Sequence, residues 1–180
     1  AISLGSGPPG EKRGSPRTEQ ISCAAHGVQQ RLVESAVDLR AQAMDQVRRM
    51  AAHLKSLNLP PGSHIAMASK NCAHFFFTDL AIWMAGHVSV ALYPTLKADT
   101  VAYILDHSEA KLLFIGKLDD LPEIQKGIPE GMSCISFPLA PPNDYESWDS
   151  IVARTEPLQG KPRRQADEPA LIAYTSGSTG

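Results

Sequence analysis

Apolar and polar positions along the chain follow two periods, one helical and one strand-like. From Ala41 onward, Ala43, Val47, Met50, Ala51, Leu54 and Leu57 recur at helical spacing, with Arg48, Arg49 and Lys55 between them. This predicts an amphipathic helix. Pro60, Pro61 and Gly62 stop it. His64–Ser69 reads as a short apolar strand. Cys72–Ala85 reads as a mostly buried helix with Phe75, Phe76, Leu80 and Trp83 inward. Val88–Tyr93 is a β-branched strand closed by Pro94. Asp99 is placed to cap a helix that buries Val101, Ile104 and Leu105. A strand at Lys111–Ile115, a short helix at Leu121–Lys126 and a strand at Ser133–Phe137 follow. After a Pro-rich loop come a helix at Trp148–Arg154, a polar connector at 156–168 and a last strand at Ala170–Tyr174.

Strands of about five residues alternating with helices imply βα units. The expected fold class is α/β: three layers, with a largely parallel sheet flanked by helices. Residues 1–18 are rich in Gly, Pro, Ser and charge and are expected to be a disordered tail. Residues 19–40 carry weak helical character without a convincing core face. The expected division is therefore a disordered or unassigned lead at 1–40 and a folded unit at 41–180.

Composition narrows the functional classes. Of 180 residues, 43% are apolar and 20% charged, enough for a packed core. Seventeen basic against 19 acidic side chains leave a net charge of −2. No broad basic face is available for nucleic acid. Cys23, Cys72 and Cys134 are odd in number and lack C-x-x-C spacing. They form no disulfide scaffold or zinc ribbon and suit a reducing, cytoplasmic compartment. The six histidines show neither H-x₃-H nor H-E-x-x-H spacing, so no metal site is expected. No secretory signal is visible at Ala1–Pro9. The apolar stretch Asn71–Leu96 is broken by polar residues and changes period at Gly86, so it reads as helix then strand, not as a membrane span. Gly5, Gly7 and Gly10 match G-x-G-x-x-G but have no strand before them and no helix after, and Pro8 and Pro9 within the match cannot open into one, so the match is taken as chance. Cys72 and His74 face different ways on a helix and make no nucleophile–base pair.

One segment carries chemistry. Tyr174-Thr-Ser-Gly-Ser-Thr-Gly180 follows directly on a buried strand. Gly177 and Gly180 permit close backbone approach to a ligand. Successive amides in such a turn can hold an anion, and Thr175, Ser176, Ser178 and Thr179 add hydroxyl donors. Phosphate is the natural guest. The segment is neither a Walker A loop nor a G-x-S-x-G elbow. By composition alone, an ordinary Ser/Gly turn fits it equally well.

The sequence L-I-A-Y-T-S-G-S-T-G at 171–180 resembles the phosphate-binding signature of the adenylate-forming, AMP-binding enzymes: acyl-CoA synthetases, peptide-synthetase adenylation domains and luciferases. Trp83–Thr95, with Ala98–Ser108 and Ala110–Ile115, resembles a second block of that family. Tyr93-Pro-Thr95 leans towards bacterial-type long-chain acyl-CoA synthetases. The resemblance covers about 41–180. Asp38-Leu-Arg40 stands where family members usually carry an aromatic strand and turn.

The resemblance implies an N-terminal, incomplete portion of an AMP-binding domain. The parent would be an ATP-dependent fatty acid–CoA ligase, making acyl-adenylate and pyrophosphate, then acyl-CoA. ATP, Mg²⁺, coenzyme A and a fatty acid are its implied cofactors and substrates. Thr175, Ser176, Gly177, Ser178, Thr179 and Gly180 would wrap the β- and γ-phosphates. No catalytic residue is expected within these 180, so the chain alone is expected to be inactive. Three alternatives stay open: a non-catalytic truncated remnant, a fatty-acyl-AMP ligase, or an adenylation domain serving a carrier protein. Peripheral association of the parent with a membrane surface also stays open. Lys161, Arg163 and Arg164 read as a solvated linker rather than an ATP contact.

Overall fold

The computed structural model describes residues 16–162 and 164–175, with backbone alone for 16–34 and 36. The chain divides into two compact units, 1–41 and 42–180. In the first, the described backbone is helical. Helix α1 runs Pro16–Ser56, so it begins well before the expected start at Ala41. Within the stretch expected as an unassigned lead, Val37 and Leu39 are exposed. That agrees with the absence of an apolar face there.

The second unit carries the sheet. After α1 come β1 (His64–Ala68), α2 (Ala73–Ala85), β2 (Val88–Leu92), α3 (Ala98–His107), β3 (Leu112–Ile115) and α4 (Leu121–Lys126). They are followed by β4 (Cys134–Ser136), β5 (Glu146–Ser147), α5 (Trp148–Arg154) and β6 (Leu171–Ala173). The six strands lie in the order β5-β4-β3-β1-β2-β6, and every pairing is parallel. The two-residue strand β5 has no counterpart in the apolar pattern, since Glu146 and Ser147 are exposed.

Helices cover both faces, as a parallel sheet requires. One face holds Val47, Met50 and Leu54 of α1, Ala81 and Ile82 of α2, and Trp148 and Ile151 of α5, over Ile65, Met67, Leu112 and Phe114. The other holds Val101, Ile104 and Leu105 of α3 and Leu121 and Ile124 of α4, over Ala66, Ala68, Leu113 and Ile115. The strand residues alternate strictly between the two clusters, the period-2 signature of a strand buried on both sides.

Two helices differ in detail from expectation. On α2 the buried stripe is Thr78, Ala81, Ile82 and Ala85. Phe76 and Leu80 are exposed, and Phe75 and Trp83 are only half-buried. A helix that is apolar almost all round carries no contrast from which to read its inward face. Asp99 does not cap α3. The cap position is Lys97, and the free Ala98 amide donates instead to Glu123 Oε1 of α4 at 3.2 Å. Gly86 ends α2 at φ 92°, a left-handed conformation that favours glycine.

The connector after α5 is tied down rather than freely solvated. Arg48 Nη1 donates to Leu158 O (2.6 Å) and Gly160 O (3.0 Å), and Arg49 Nη1 donates to Thr155 O (2.9 Å). Arg164 donates to His87 O (3.0 Å) and Pro169 O (2.9 Å). Lys161 is exposed as expected, while Arg163 lies outside the described residues. Among the described residues, no helix is long and apolar enough to cross a membrane.

Several ionisable groups sit inside this frame. His74 packs among Phe77, Phe137 and Trp148, and burial lowers its pKa. His87 is buried, and its Nδ1 has no partner among the described residues. Burial, then Lys55 and Arg164, lower its pKa as well. Each imidazole therefore binds a proton more readily in the unfolded chain. The unfolded state holds more protons below about pH 6.5, so stability rises with pH there. We predict that this contribution is intact above about pH 6.5 and is lost as pH falls towards the lowered folded-state values. Urea unfolding of the chain from pH 7.5 to 5.5 measures it. A His74→Gln/His87→Gln double variant should show a flatter profile over that range. A wild-type profile already flat there would contradict the argument.

Candidate functional site

The topology fixes where a site can form. From β1 the chain passes through α2 on one face. From β2 and β3 it passes through α3 and α4 on the other. The loops leaving neighbouring strands thus part to opposite sides at the carboxyl edge, beside β1. Ligands of open α/β sheets bind in such a crevice.

Two cavities lie at that edge. One, of about 200 Å³, is lined by Ser69 and Asn71 after β1, Tyr93 and Pro94 after β2, and Tyr174 after β6. The other, of about 400 Å³, is lined by Tyr93, Thr95 and Leu96, by Thr100 and Tyr103 of α3, and by Tyr174 and Thr175. Ala91, Tyr93 and Tyr174 line both.

Ser69 builds the floor of the crevice. Its hydroxyl donates to Lys70 O at 2.7 Å and accepts from the Lys117 amide at 2.9 Å. Lys70 N donates to Lys117 O at 2.8 Å. Lys70 Nζ pairs with Asp119 at 2.5 Å, an exposed contact of small energetic weight. The loops after β1 and β3 are thereby stitched together. Gly116 makes this possible, because a Cβ there would lie 2.2 Å from Ser69 Oγ and 2.6 Å from the Phe137 ring.

Beside β6, Asp79 of α2 accepts from Ser89 Oγ at 2.5 Å. Burial raises its pKa, and the serine hydrogen bond holds it back. Trp83 Nε1 donates to Ala170 O at 2.8 Å, and the Ser89 amide donates to the same oxygen at 3.1 Å. The start of β6 is thus held from α2 and from β2. At its other end, Tyr174 Oη lies 2.8 Å from His107 Nδ1.

Of the phosphate-binding residues expected from sequence, Thr175 is exposed and lines the larger cavity. Ser176, Gly177, Ser178, Thr179 and Gly180 lie outside the described residues. Sequence reasoning missed Ser69, Asn71, Tyr93, Tyr103 and His107 as site-forming residues. The signal for the first three was available: each ends or closely follows a predicted parallel strand, where the topology rule places ligands. Tyr103 and His107 lie on a helix and gave no such signal. Among the described residues, no group of three or more His, Cys, Asp or Glu is placed to hold a metal ion. The donor set does not fit Mg²⁺ by itself.

A family profile described as AMP-binding enzyme matches residues 40–180. The chain belongs to the AMP-binding enzyme family. The long-chain-fatty-acid–CoA ligase FadD15 of Mycobacterium bovis is 29% identical over 147 residues, covering 78% of this chain and 24% of that protein. The human long-chain-fatty-acid–CoA ligase ACSBG2 is 25% identical over 151 residues, covering 77% and 23%. The crystal structure of the anthranilate CoA ligase AuaEII in complex with anthranoyl-AMP superposes with a TM-score of 0.68 at 20% identity, covering 78% of this chain and 27% of that one. It shares the α/β fold. This AMP-binding chain spans about a quarter of the length of the curated relatives it matches.

The Gly116 contact yields a direct prediction. Gly116→Ala should lower stability by about 1–3 kcal/mol in urea unfolding, the usual cost of overpacking. Adding Ser69→Gly should recover part of the loss and not all of it, since Phe137 also crowds the site. A neutral Gly116→Ala would show that the crevice floor is not close-packed.

Proposed function

We propose that these residues serve an ATP-dependent ligase that activates a fatty acid and passes it to coenzyme A. One observation carries the reading. The strand–Tyr–Thr lead into Ser176–Gly180 emerges at the carboxyl edge of a parallel sheet, beside the crevice. The names of the relatives, long-chain-fatty-acid–CoA ligases, support the substrate class.

In this reading Thr175, Ser176, Ser178 and Thr179 donate hydroxyls, and the segment's amides donate N–H groups, to the β- and γ-phosphate oxygens. Gly177 and Gly180 let the backbone come close. A carboxylate oxygen of the acid attacks the α-phosphorus, and the bond to pyrophosphate breaks. Acyl-adenylate results. The coenzyme A sulfur then attacks the acyl carbon, AMP leaves, and the thiol proton passes to solvent. The phosphate donors act by position and charge stabilisation. Mg²⁺, when bound with ATP, would neutralise phosphate charge. No described residue is assigned to it. The remaining catalytic parts are assigned to residues outside 1–180, and the 180-residue chain by itself is expected to bind polyphosphate without turnover.

Fatty-acid-dependent ATP–pyrophosphate exchange tests the reading in the complete protein that carries this sequence. Exchange should require a fatty acid and should fall at least about tenfold in kcat/KM in Ser176→Ala and Thr179→Val. Exchange driven by amino acids instead, or unaffected by both substitutions, would overturn it. The 180-residue chain should bind inorganic tripolyphosphate and give no exchange above a no-enzyme control.

A further inference from the structure

His87 is a buried ionisable residue outside the crevice, 3% exposed, between the end of α2 and the start of β2. Its backbone is held on both sides. The amide donates to Ile82 O at 3.0 Å, and the carbonyl accepts from Arg164 Nη1 at 3.0 Å. Its ring is not satisfied: Nδ1 has no partner among the described residues. The charged groups that act on the ring are Lys55, in the last turn of α1, and Arg164. Both are cations. Ionisable groups on the neighbouring elements are engaged elsewhere. Asp79 of α2 accepts from Ser89 Oγ, His64 of β1 is bonded to Ser108 O, and Glu168 pairs with Arg164 Nε at 2.5 Å.

Arg164 is also a tie between β2 and the start of β6. Its Nη2 donates to Pro169 O at 2.9 Å. The next carbonyl, Ala170 O, accepts from the Ser89 amide at 3.1 Å and from Trp83 Nε1 at 2.8 Å. β6 itself is three residues long, and its first residue, Leu171, is 50% exposed.

We infer that His87 and Arg164 form a pH-sensitive latch: proton uptake by His87 releases the start of β6 from β2 while the central strands stay paired. An imidazolium donates from both ring nitrogens. At Nδ1 that N–H would find no acceptor, so the charge would lie buried and unpaired, within the fields of two cations. The ring can hold the proton only by turning out towards water, and the carbonyl of the same residue carries the Arg164 bond. A short edge strand opens at lower cost than the whole sheet. Burial, Lys55 and Arg164 lower the pKa of His87 in the closed state, so the open state binds the proton more readily. Closure is therefore complete above about pH 6.5 and weakens as pH falls towards the lowered value. Tyr174 and Thr175 follow β6 directly and line the larger cavity, so opening removes part of the crevice wall. The latch does not depend on the phosphate-binding role.

Amide hydrogen exchange of the 180-residue chain, read as protection factors at pH 7.5 and 5.5, tests it. Two adjacent amides face different strands: Ser89 N donates to Ala170 O, and Val88 N donates to Ser63 O at 3.0 Å. Ser89 should be less protected than Val88, and its protection should fall by up to about tenfold between the two pH values. His87→Gln should remove that fall. His74→Gln should leave it in place, because His74 packs among Phe77, Phe137 and Trp148, away from β6. The Trp83 indole N–H resonance should shift with Ser89, while that of Trp148, bonded to Gln46 Oε1 at 3.0 Å, stays fixed. If His87→Gln does not fold, the wild-type chain decides: the change at Ser89 must follow the ¹⁵N titration of the His87 ring and not that of His74. Equal protection of Ser89 and Val88, or a pH response at Ser89 that survives His87→Gln or tracks His74, would overturn the proposal.

Discussion

The structure depends on one constraint: parallel strands cannot be joined by tight turns. Each must be followed by a crossover, and in this chain the crossovers after β1 and β2 run over opposite faces. Covering both faces makes the central strands largely apolar, so chemistry is driven to the strand ends. The divergence beside β1 then leaves a crevice at one edge. Ser69, Tyr93 and Tyr174 meet there because each closely follows a different strand of the same parallel set.

Polar groups within the frame serve the same edge. Asp79 and Ser89 form a partly buried pair between α2 and β2, at a cost in desolvation that raises the Asp79 pKa. Ser89 also donates its amide to Ala170 O. The pair thus holds α2 against the strand that receives β6. Arg164 acts at the same end, bonding His87 O at the start of β2 and Pro169 O just before β6. An edge strand of three residues has little burial of its own, as the exposure of Leu171 shows. Hydrogen bonds from the Trp83 indole, the Ser89 amide and Arg164 supply what apolar packing does not.

Much of the fold was legible in the sequence, and the reasons for the rest are specific. Most strand and helix positions followed from period and from Gly and Pro stops, because β1, β2 and β3 are bounded on both sides by polar or turn-forming residues. The inward face of α2 was not legible. A run such as His-Phe-Phe-Phe-Thr-Asp-Leu-Ala offers large apolar residues in every direction, yet the buried positions of α2 are held by Thr78, Ala81, Ile82 and Ala85. The extent of α1 was hidden for the opposite reason: its early part has no apolar stripe to recognise. Of the candidate site, Thr175 was named from composition and order, and it lines the larger cavity. Its neighbours were not, since Tyr103 and His107 look like ordinary surface residues of a helix until the topology brings that helix beside β6.

The same reasoning separates two kinds of residue at the edge. Gly116 and Ser69 matter through exclusion: the loops after β1 and β3 approach so closely that a single methyl group has no room. Tyr174 and His107 matter through attachment, since their contact lies one residue past the last described ladder pair of β6. A three-residue edge strand has little burial to fix its end, so side chains fix it. The tyrosine that follows β6, through His107, links that end to α3 and to the core that α3 covers.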